Sequence, residues 1–321
     1  MIEKWASQID LGAHHEFAID MIDLLFVSND KFCPHLATLL RSVAASTPGP
    51  ARAHIVTNDA SAESRRQVAR AVPSIDLRWL DCGSLHGLPP SLFGIDPISY
   101  GRLFGPGQLE GEVERLIYLD VDTLVRHDLT ALWTTDLEGR PVAAVRDPGA
   151  TSIGHPTLGI PDFEALGFAA TAPYFNSGVM VIDVKRWNDD GAANRCLEFL
   201  SMQRINRFAD QDALNAVFYK DWTPLPMRWN VFAHPPQRPL IGLRKSTREV
   251  IAAQIDPAIV HYAGVEKPWA AHHNSTLLFL DEWQSFANSG SFSALPKRSR
   301  RRLWQEVRNR LAGAARALLG R

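Results

Sequence analysis

The feature that most constrains this chain is an alternation of two periodicities. The stretch IDLLFVSND (Ile22–Asp30) is an apolar run closing on polar residues. HLATLLRSVAAS (His35–Ser46) then spaces Leu36, Leu39, Leu40 and Val43 at three- and four-residue steps, the signature of a helix with one buried face. RAHIVTND (Arg52–Asp59) repeats the run that ends on Asn-Asp, SAESRRQVARAV follows as a helix with Ser61 as its cap, and IDLRWLD (Ile75–Asp81) is a third strand. Strands alternating with helices predict parallel βαβ units. In such sheets ligands bind beyond the carboxyl ends of the strands, which places Ser28, Asn29 and Asp30, together with Asp120 and Asp122 further on, along one binding edge.

A fourth strand-like run, RLIYLDVDTLVRHDL (Arg115–Leu129), carries two aspartates one residue apart and then turns apolar again. Desolvating an unpaired carboxylate is expensive, so Asp120 and Asp122 need solvent, a hydrogen-bonding loop or a cation. In extended chain, positions i and i+2 face the same way, so the two carboxylates could share one ion. Oxygen ligands suit Mg²⁺ or Mn²⁺, and an added imidazole tilts the choice to Mn²⁺. The spacing alone is weak, since Asp210 and Asp212 repeat it.

Further on, PVAAVRD (Pro141–Asp147) reads as a strand ending in an acid, and YFNSGVMVIDVKRW (Tyr174–Trp187) as another. Between them Pro148 to Pro173 is crowded with Gly and Pro, as expected of a lid or binding loop. Helices are expected around Asn194–Met202 and Asp210–Tyr219, and a last strand ends at IVHYAG (Ile259–Gly264).

Two enzyme classes use such an aspartate pair. LDVDTLV is similar to the nucleophile motif of haloacid dehalogenase-type phosphatases, in which Asp120 would be phosphorylated, but that motif opens its domain and here three strands precede it. The other class is glycosyl transfer from a sugar nucleotide. LLFVSND, SYGRL (Ser99–Leu103), RLIYLDVDTLV, AAVRD, YFNSGVMVID, DQDALN (Asp210–Asn215) and HYAGVEKPW (His261–Trp269), in that order, resemble glycosyltransferase family 8. The resemblance implies a GT-A fold: α/β, with a Rossmann-like, mostly parallel central sheet flanked by helices. It implies transfer of a hexose, galactose or glucose, from a UDP-sugar to a hydroxyl of a glycan or glycolipid such as lipopolysaccharide, with retention of configuration. A nucleotide-sugar binding protein without turnover is the further alternative.

By the same resemblance Asp120, Asp122 and His261 hold Mn²⁺ or Mg²⁺, Lys267 meets the diphosphate, and Gly264 lets the backbone approach it. Arg102 contacts the donor; Asp147 and Asn176 lie near the donor sugar hydroxyls; Asp210 and Gln211 lie beside the sugar, Gln211 nearest the reacting carbon. Val27, Ser28, Asn29, Phe32 and Val121 line the nucleotide. Asn29 and Phe32 replace the Asp and Tyr that the family often places against uracil. An amide offers a base both a donor and an acceptor, and Phe can stack on it. The expected chemistry is same-face attack with the leaving phosphate helping to deprotonate the acceptor.

Charge is informative at one end only. The chain carries a formal −1, yet Pro296–Arg321 holds nine Lys/Arg against the single acid Glu306, so the remainder is acidic. Leu303, Val307, Leu311, Ala314 and Leu318 form an apolar stripe among those arginines, with Trp304 at its edge. The pattern predicts a basic amphipathic helix lying on an anionic membrane, as in bacterial members of the family; docking on the acidic body or attraction of RNA are the alternatives, and no nucleic-acid partner is expected. The expected organisation is an N-terminal extension over 1–20, a catalytic domain over 21–290 and the basic tail over 296–321. Three separated cysteines, Cys33, Cys82 and Cys196, favour a reducing compartment. No apolar run reaches the ~18 residues of a membrane span, and the start lacks a secretion pattern. A cytoplasmic protein, peripheral at the inner face of the membrane, is expected.

Overall fold

A computed structural model describes residues 21–83, 85, 87–203, 207–234, 253–272 and 275–289. The expected extension over 1–20 and tail over 296–321 lie outside the described residues. The first three strands fall where the alternation predicts: β1 (Ile22–Val27), β2 (Ala51–Thr57) and β3 (Asp76–Asp81), with helices α1 (Cys33–Ser46) and α2 (Ala62–Ala71) between them. The Ser61 side chain accepts a hydrogen bond from the Ser64 backbone N–H and caps α2.

Helix α3 (Gly101–Gln108) precedes β4 (Arg115–Leu119). Its sequence, GRLFGPGQ, is a poor helix former by propensity. Two of its three glycines explain it: a Cβ on Gly105 would stand 2.8 Å from both Leu25 methyl carbons, and one on Gly101 3.1 Å from Val27. Helix α3 therefore lies against β1 closer than side chains would permit, and that close packing sets Arg102 at the sheet edge.

The large sheet has seven strands in the order β3-β2-β1-β4-β7-β6-β8, with β6 at Val142–Arg146, β7 at Phe175–Asp183 and β8 at Thr223–Pro224. It is mostly parallel, and only β7 runs against its neighbours. Both faces are covered. Leu25 and Val27 point into one apolar cluster with Leu103 and Leu214, while Leu24 and Phe26 point into the other with Leu36, Leu40 and Val68. The one buried charge on β1, Asp23, accepts from Arg52 and contacts His54 on β2.

Two expectations need correcting. Strand character does not extend to Trp187: it stops at Asp183, whose side chain accepts from the Arg186 N–H and starts helix α5 (Val184–Asp189), the next helix after the short α4 (Thr130–Trp133). The Asp-x-Asp segment is not extended chain. Thr123 N–H donates to Asp120 C=O at 3.1 Å, closing a turn that leads from β4 into β5 (Thr123–Val125). That turn hands the chain to a second, three-stranded sheet, β5-β10-β9, with β9 at Val231–Phe232 and β10 at Ile259–His261. The Gly/Pro-rich segment after Asp147 forms turns and one isolated bridge, Ser152 with Pro173.

Candidate functional site

The parallel pairing of β1 with β4 brings their carboxyl ends together, so the Ser28–Asp30 segment and the aspartate turn share one edge, as predicted. The small sheet then supplies the third member. β10 pairs antiparallel with β5, setting His261 opposite Thr123, and the Tyr262 N–H donates to Asp122 C=O at 2.8 Å. Ligand atoms of Asp120, Asp122 and His261 all lie within 4.8 Å of one another. The carboxylates converge, but through a turn rather than through the alternation of a strand.

Each of the three groups has one atom engaged by the protein and one free. Asp120 Oδ1 accepts from Arg102 Nη2 at 2.9 Å and from the Tyr118 hydroxyl at 2.6 Å, leaving Oδ2. Asp122 Oδ2 accepts from Lys267 Nζ at 2.5 Å, leaving Oδ1. His261 Nδ1 lies 2.9 Å from Asn230 Oδ1, leaving Nε2, which stands 3.3 Å from Asp122 Oδ1 and 3.7 Å from Asp120 Oδ2. Two hard oxygens and an imidazole nitrogen facing one point form a donor set suited to a divalent cation. Gly178 makes room for it: a Cβ there would stand 2.3 Å from His261 Cε1 and 2.8 Å from Asp120 Oδ2. Burial alone would raise the Asp122 pKa, but Lys267 and His261 outweigh it and hold the carboxyl well below the usual range.

Arg102 is the hub of the site. Buried, it donates to Ser99 C=O, to Ser177 C=O and Oγ, and to Asp120, with its Nε 2.8 Å from Asp210 Oδ2 in an ion pair. Its guanidinium also lies 4.5 Å from the centroid of the Tyr118 ring. Asp210 opens helix α7 (Asp210–Val217), which follows α6 (Ala192–Met202), and burial pushes its carboxyl up to about 6 against the pull of Arg102.

The remaining polar residues form one closed network. Asn176 Nδ2 donates to Asp147 Oδ2 at 3.0 Å and to Gln211 Oε1 at 3.1 Å, and Gln211 Nε2 donates to Asp147 Oδ2 at 3.3 Å. Asp147 Oδ1 also accepts from the N–H groups of Gly149 and Ala150, so it caps the Gly/Pro-rich segment as well as facing the site.

The residues expected to line a nucleotide are placed differently. Val27 packs its side chain on α3, leaving only its backbone for a ligand, and Val121 joins the second apolar cluster. Ser28 is buried and donates to Asn29 C=O. Both ends of the Asn29 amide are engaged: Oδ1 accepts from the Phe32 N–H, and Nδ2 donates to Asp96 Oδ2 at 3.3 Å. Half-buried Phe32 has its ring centroid 6.0 Å from that of Trp269. Trp269 in turn stacks on His35 at 3.8 Å, and burial depresses His35 to about 4 although the Asp122 charge is near enough to oppose it. Gly264 has φ +102°, a conformation that favours glycine.

Sequence reasoning missed Asn230, Ser177, Gly178 and Tyr118. A glycine inside a strand pattern marks close backbone approach and could have flagged Gly178. Nothing in the pattern around Asn230 signals its role.

Comparison with known proteins identifies the family and the fold. Residues 23–273 match the profile described as Glycosyl transferase family 8. General stress protein A of Bacillus subtilis (strain 168) is 34% identical over 200 residues, covering 59% of this chain and 64% of that protein. Probable galacturonosyltransferase-like 6 of Arabidopsis thaliana is 33% identical over 181 residues, covering 54% and 50%. The chain thus matches between half and two thirds of the length of these relatives. Among solved structures, the galactosyltransferase LgtC in complex with donor and acceptor sugar analogues aligns with TM-score 0.70 and 26% identity, covering 85% of this chain and 97% of that one.

Proposed function

Because the chain belongs to glycosyltransferase family 8 and carries the GT-A fold, we propose that it moves a hexose, galactose or glucose, from a UDP-sugar to a hydroxyl of a glycan or glycolipid, lipopolysaccharide among them. One observation carries the metal-dependent form of this reading. Asp120 Oδ2, Asp122 Oδ1 and His261 Nε2 converge with no partner but each other, while the second polar atom of every one of these groups is held. Two carboxylate oxygens and a nitrogen lone pair repel unless a cation stands between them. Asp120, Asp122 and His261 would hold Mn²⁺ or Mg²⁺, which when bound supplies positive charge to the donor diphosphate.

The chain's own groups do the rest. Lys267 offers an ammonium for the diphosphate as the glycosidic bond breaks, the preorganised stabilisation of developing charge that enzymes rely on. Arg102 fixes Asp120 and Asp210 so that neither carboxylate wanders from the site. Asp147, Asn176 and Gln211 face the sugar with donors and acceptors already oriented. Gln211 carries no nucleophilic carboxylate, and Asp210 is clamped by Arg102, so attack on the same face is favoured, with the departing phosphate taking the acceptor proton. Residues 21–290 are the proposed catalytic unit and 296–321 its contact with anionic lipid at the inner face of the cytoplasmic membrane; no described helix is long and apolar enough to span one.

A panel of UDP-sugars tests the reading. Manganese-stimulated release of UDP from UDP-galactose or UDP-glucose, lost in Asp122→Asn, is the expected result. Release of inorganic phosphate with a trapped phospho-aspartate at Asp120 would instead establish a phosphatase, and UDP binding without turnover a binding protein. Removing 296–321 should weaken binding to anionic vesicles; unchanged partitioning refutes the tail's membrane role.

A further inference from the structure

A line of side-chain amides runs from the imidazole of His261 to Gln211, and two backbone groups dictate its polarity. Gly178 N–H donates to Asn176 Oδ1 at 3.0 Å, and Ser177 N–H donates to Gln211 Oε1 at 3.0 Å. A backbone N–H only donates. Asn176 must therefore turn its carbonyl oxygen toward Gly178, and the group that meets the same oxygen at 2.8 Å must be the amide nitrogen of Asn230. Asn230 is then forced to aim its own carbonyl oxygen at His261 Nδ1, 2.9 Å away. A carbonyl only accepts, so Nδ1 carries a proton, and in the neutral ring that a cation requires Nε2 presents its lone pair to the two aspartates.

We propose that Asn230 is the positioning residue of the metal centre: it locks His261 in the Nδ1–H form with Nε2 bare toward a divalent cation, and it joins that ring to the Asn176–Gln211 pair at the donor sugar. The proposal rests on the metal-dependent reading above. The fold is arranged to deliver it. Parallel pairing of β9 with β10 sets Val231 beside Val260, so the residue before β9 reaches the ring of the residue that ends β10. Asn230 is 2% exposed, which shields its two hydrogen bonds from competing solvent. Outer partners of ligating histidines fix the tautomer and ring direction in this manner, and their loss commonly costs metal affinity about 10- to 100-fold.

The residue type is also explained. A carboxylate at 230 would still accept from Nδ1–H, but its second oxygen would oppose Asn176 Oδ1, an acceptor against an acceptor. An aliphatic side chain would serve neither neighbour. Only an amide offers one acceptor and one donor in this shape.

The full-length chain, Asn230→Leu and Asn230→Asp form the test, with free Mn²⁺ followed by electron paramagnetic resonance and folding by circular dichroism. Asn230→Leu should weaken manganese binding by roughly 10- to 100-fold, and Asn230→Asp should stay within about threefold of wild type while losing UDP-sugar hydrolysis. Wild-type manganese affinity in folded Asn230→Leu overturns the proposal. Should that variant not fold, ¹⁵N NMR of His261 in the wild-type chain decides: a neutral ring protonated on Nδ1 supports the inference, and one protonated on Nε2 refutes it. A wild-type chain that takes up no manganese overturns the metal-dependent reading instead, and the tautomer still tests the amide line by itself.

Discussion

The chain contains the same three-letter spacing twice, and the two copies do opposite things. Asp120 and Asp122 sit in a turn between two sheets, and each keeps one oxygen free. Asp210 and Asp212 sit in the first turn of α7, both 2% exposed, and neither faces open space. Asp210 is held against Arg102, whereas Asp212 accepts from the Tyr174 hydroxyl at 2.6 Å and from the N–H groups of Arg207 and Phe208 at 3.0 Å. Residues two apart on a helix point to different sides, so the second pair is split between the site and the scaffold. A tight turn brings the first pair to one point. Spacing thus reports chemistry only through the backbone that carries it.

The comparison breaks most easily at Asp122 and Asp212. Asp122→Ala removes a carboxylate of the proposed metal centre and the partner of Lys267, and manganese-stimulated turnover should fall by roughly a hundredfold or more, with a smaller loss of stability than Asp212→Ala causes. Asp212→Ala should do the reverse. It strands the Tyr174 hydroxyl and two buried backbone N–H groups, at roughly 2–4 kcal/mol of stability, while manganese affinity holds. Unfolding curves and metal titrations on both variants check the crossing. Equal stability losses would mean that the first pair is as structural as the second.

How much of this was legible in the sequence follows the same division. The strands up to β4, the Ser61 cap and the shared edge of Asn29 and Asp120 were readable, because apolar periodicity and a capping hydroxyl are local signals. The reversal of β7 was not, since YFNSGVMVID is equally apolar in either direction. Nor was the small sheet, whose strands are two or three residues long and owe their existence to the turn at Asp120. Asn230 was invisible for a related reason. Its value comes from lying beside His261 across β9 and β10, and no pattern within MRWNVF encodes a neighbour 31 residues away. The convergence of the aspartate pair was legible, and the backbone that produces it was misread.

The two pairs should also separate in their response to pH. Asp210 keeps its proton up to about 6 in the folded chain, whereas an unfolded Asp ionises near 3.9. Its contribution is fully present below about pH 4 and is lost as pH rises through about 6, because only the unfolded chain ionises in that window. Asp122 is held below the usual range, so its contribution is present above about pH 4 and is lost as acid titrates the folded carboxylate. Asp210→Asn should therefore flatten the decline in stability between about pH 4 and 7, a relative gain on the order of 2 kcal/mol at neutral pH. Urea unfolding of wild type and variant at both ends of that window measures it. Parallel profiles would mean that Arg102 offsets the whole burial cost.

The smallest effect tests why the second pair needs its helix at all. Ala209, the residue before Asp210, has φ +52° and ψ −123°, a backbone state that glycine enters freely and residues with a Cβ do not. Such positions store about 1–3 kcal/mol of strain, held by the packing around them, and Ala209 is buried at 1% exposure. No non-glycine residue of the Asp120–Asp122 turn has positive φ. Strain is thus confined to the pair whose first member must be turned inward to meet Arg102. Ala209→Gly releases it but restores freedom to the unfolded chain, worth about 0.5–1 kcal/mol, so the net gain should be on the order of 1 kcal/mol and the melting temperature should rise by about 2 °C. Manganese affinity should not move, since the Asp120–Asp122 turn lies on a different segment. A lower melting temperature would show that the Ala209 methyl group contributes more by packing than its backbone costs in strain.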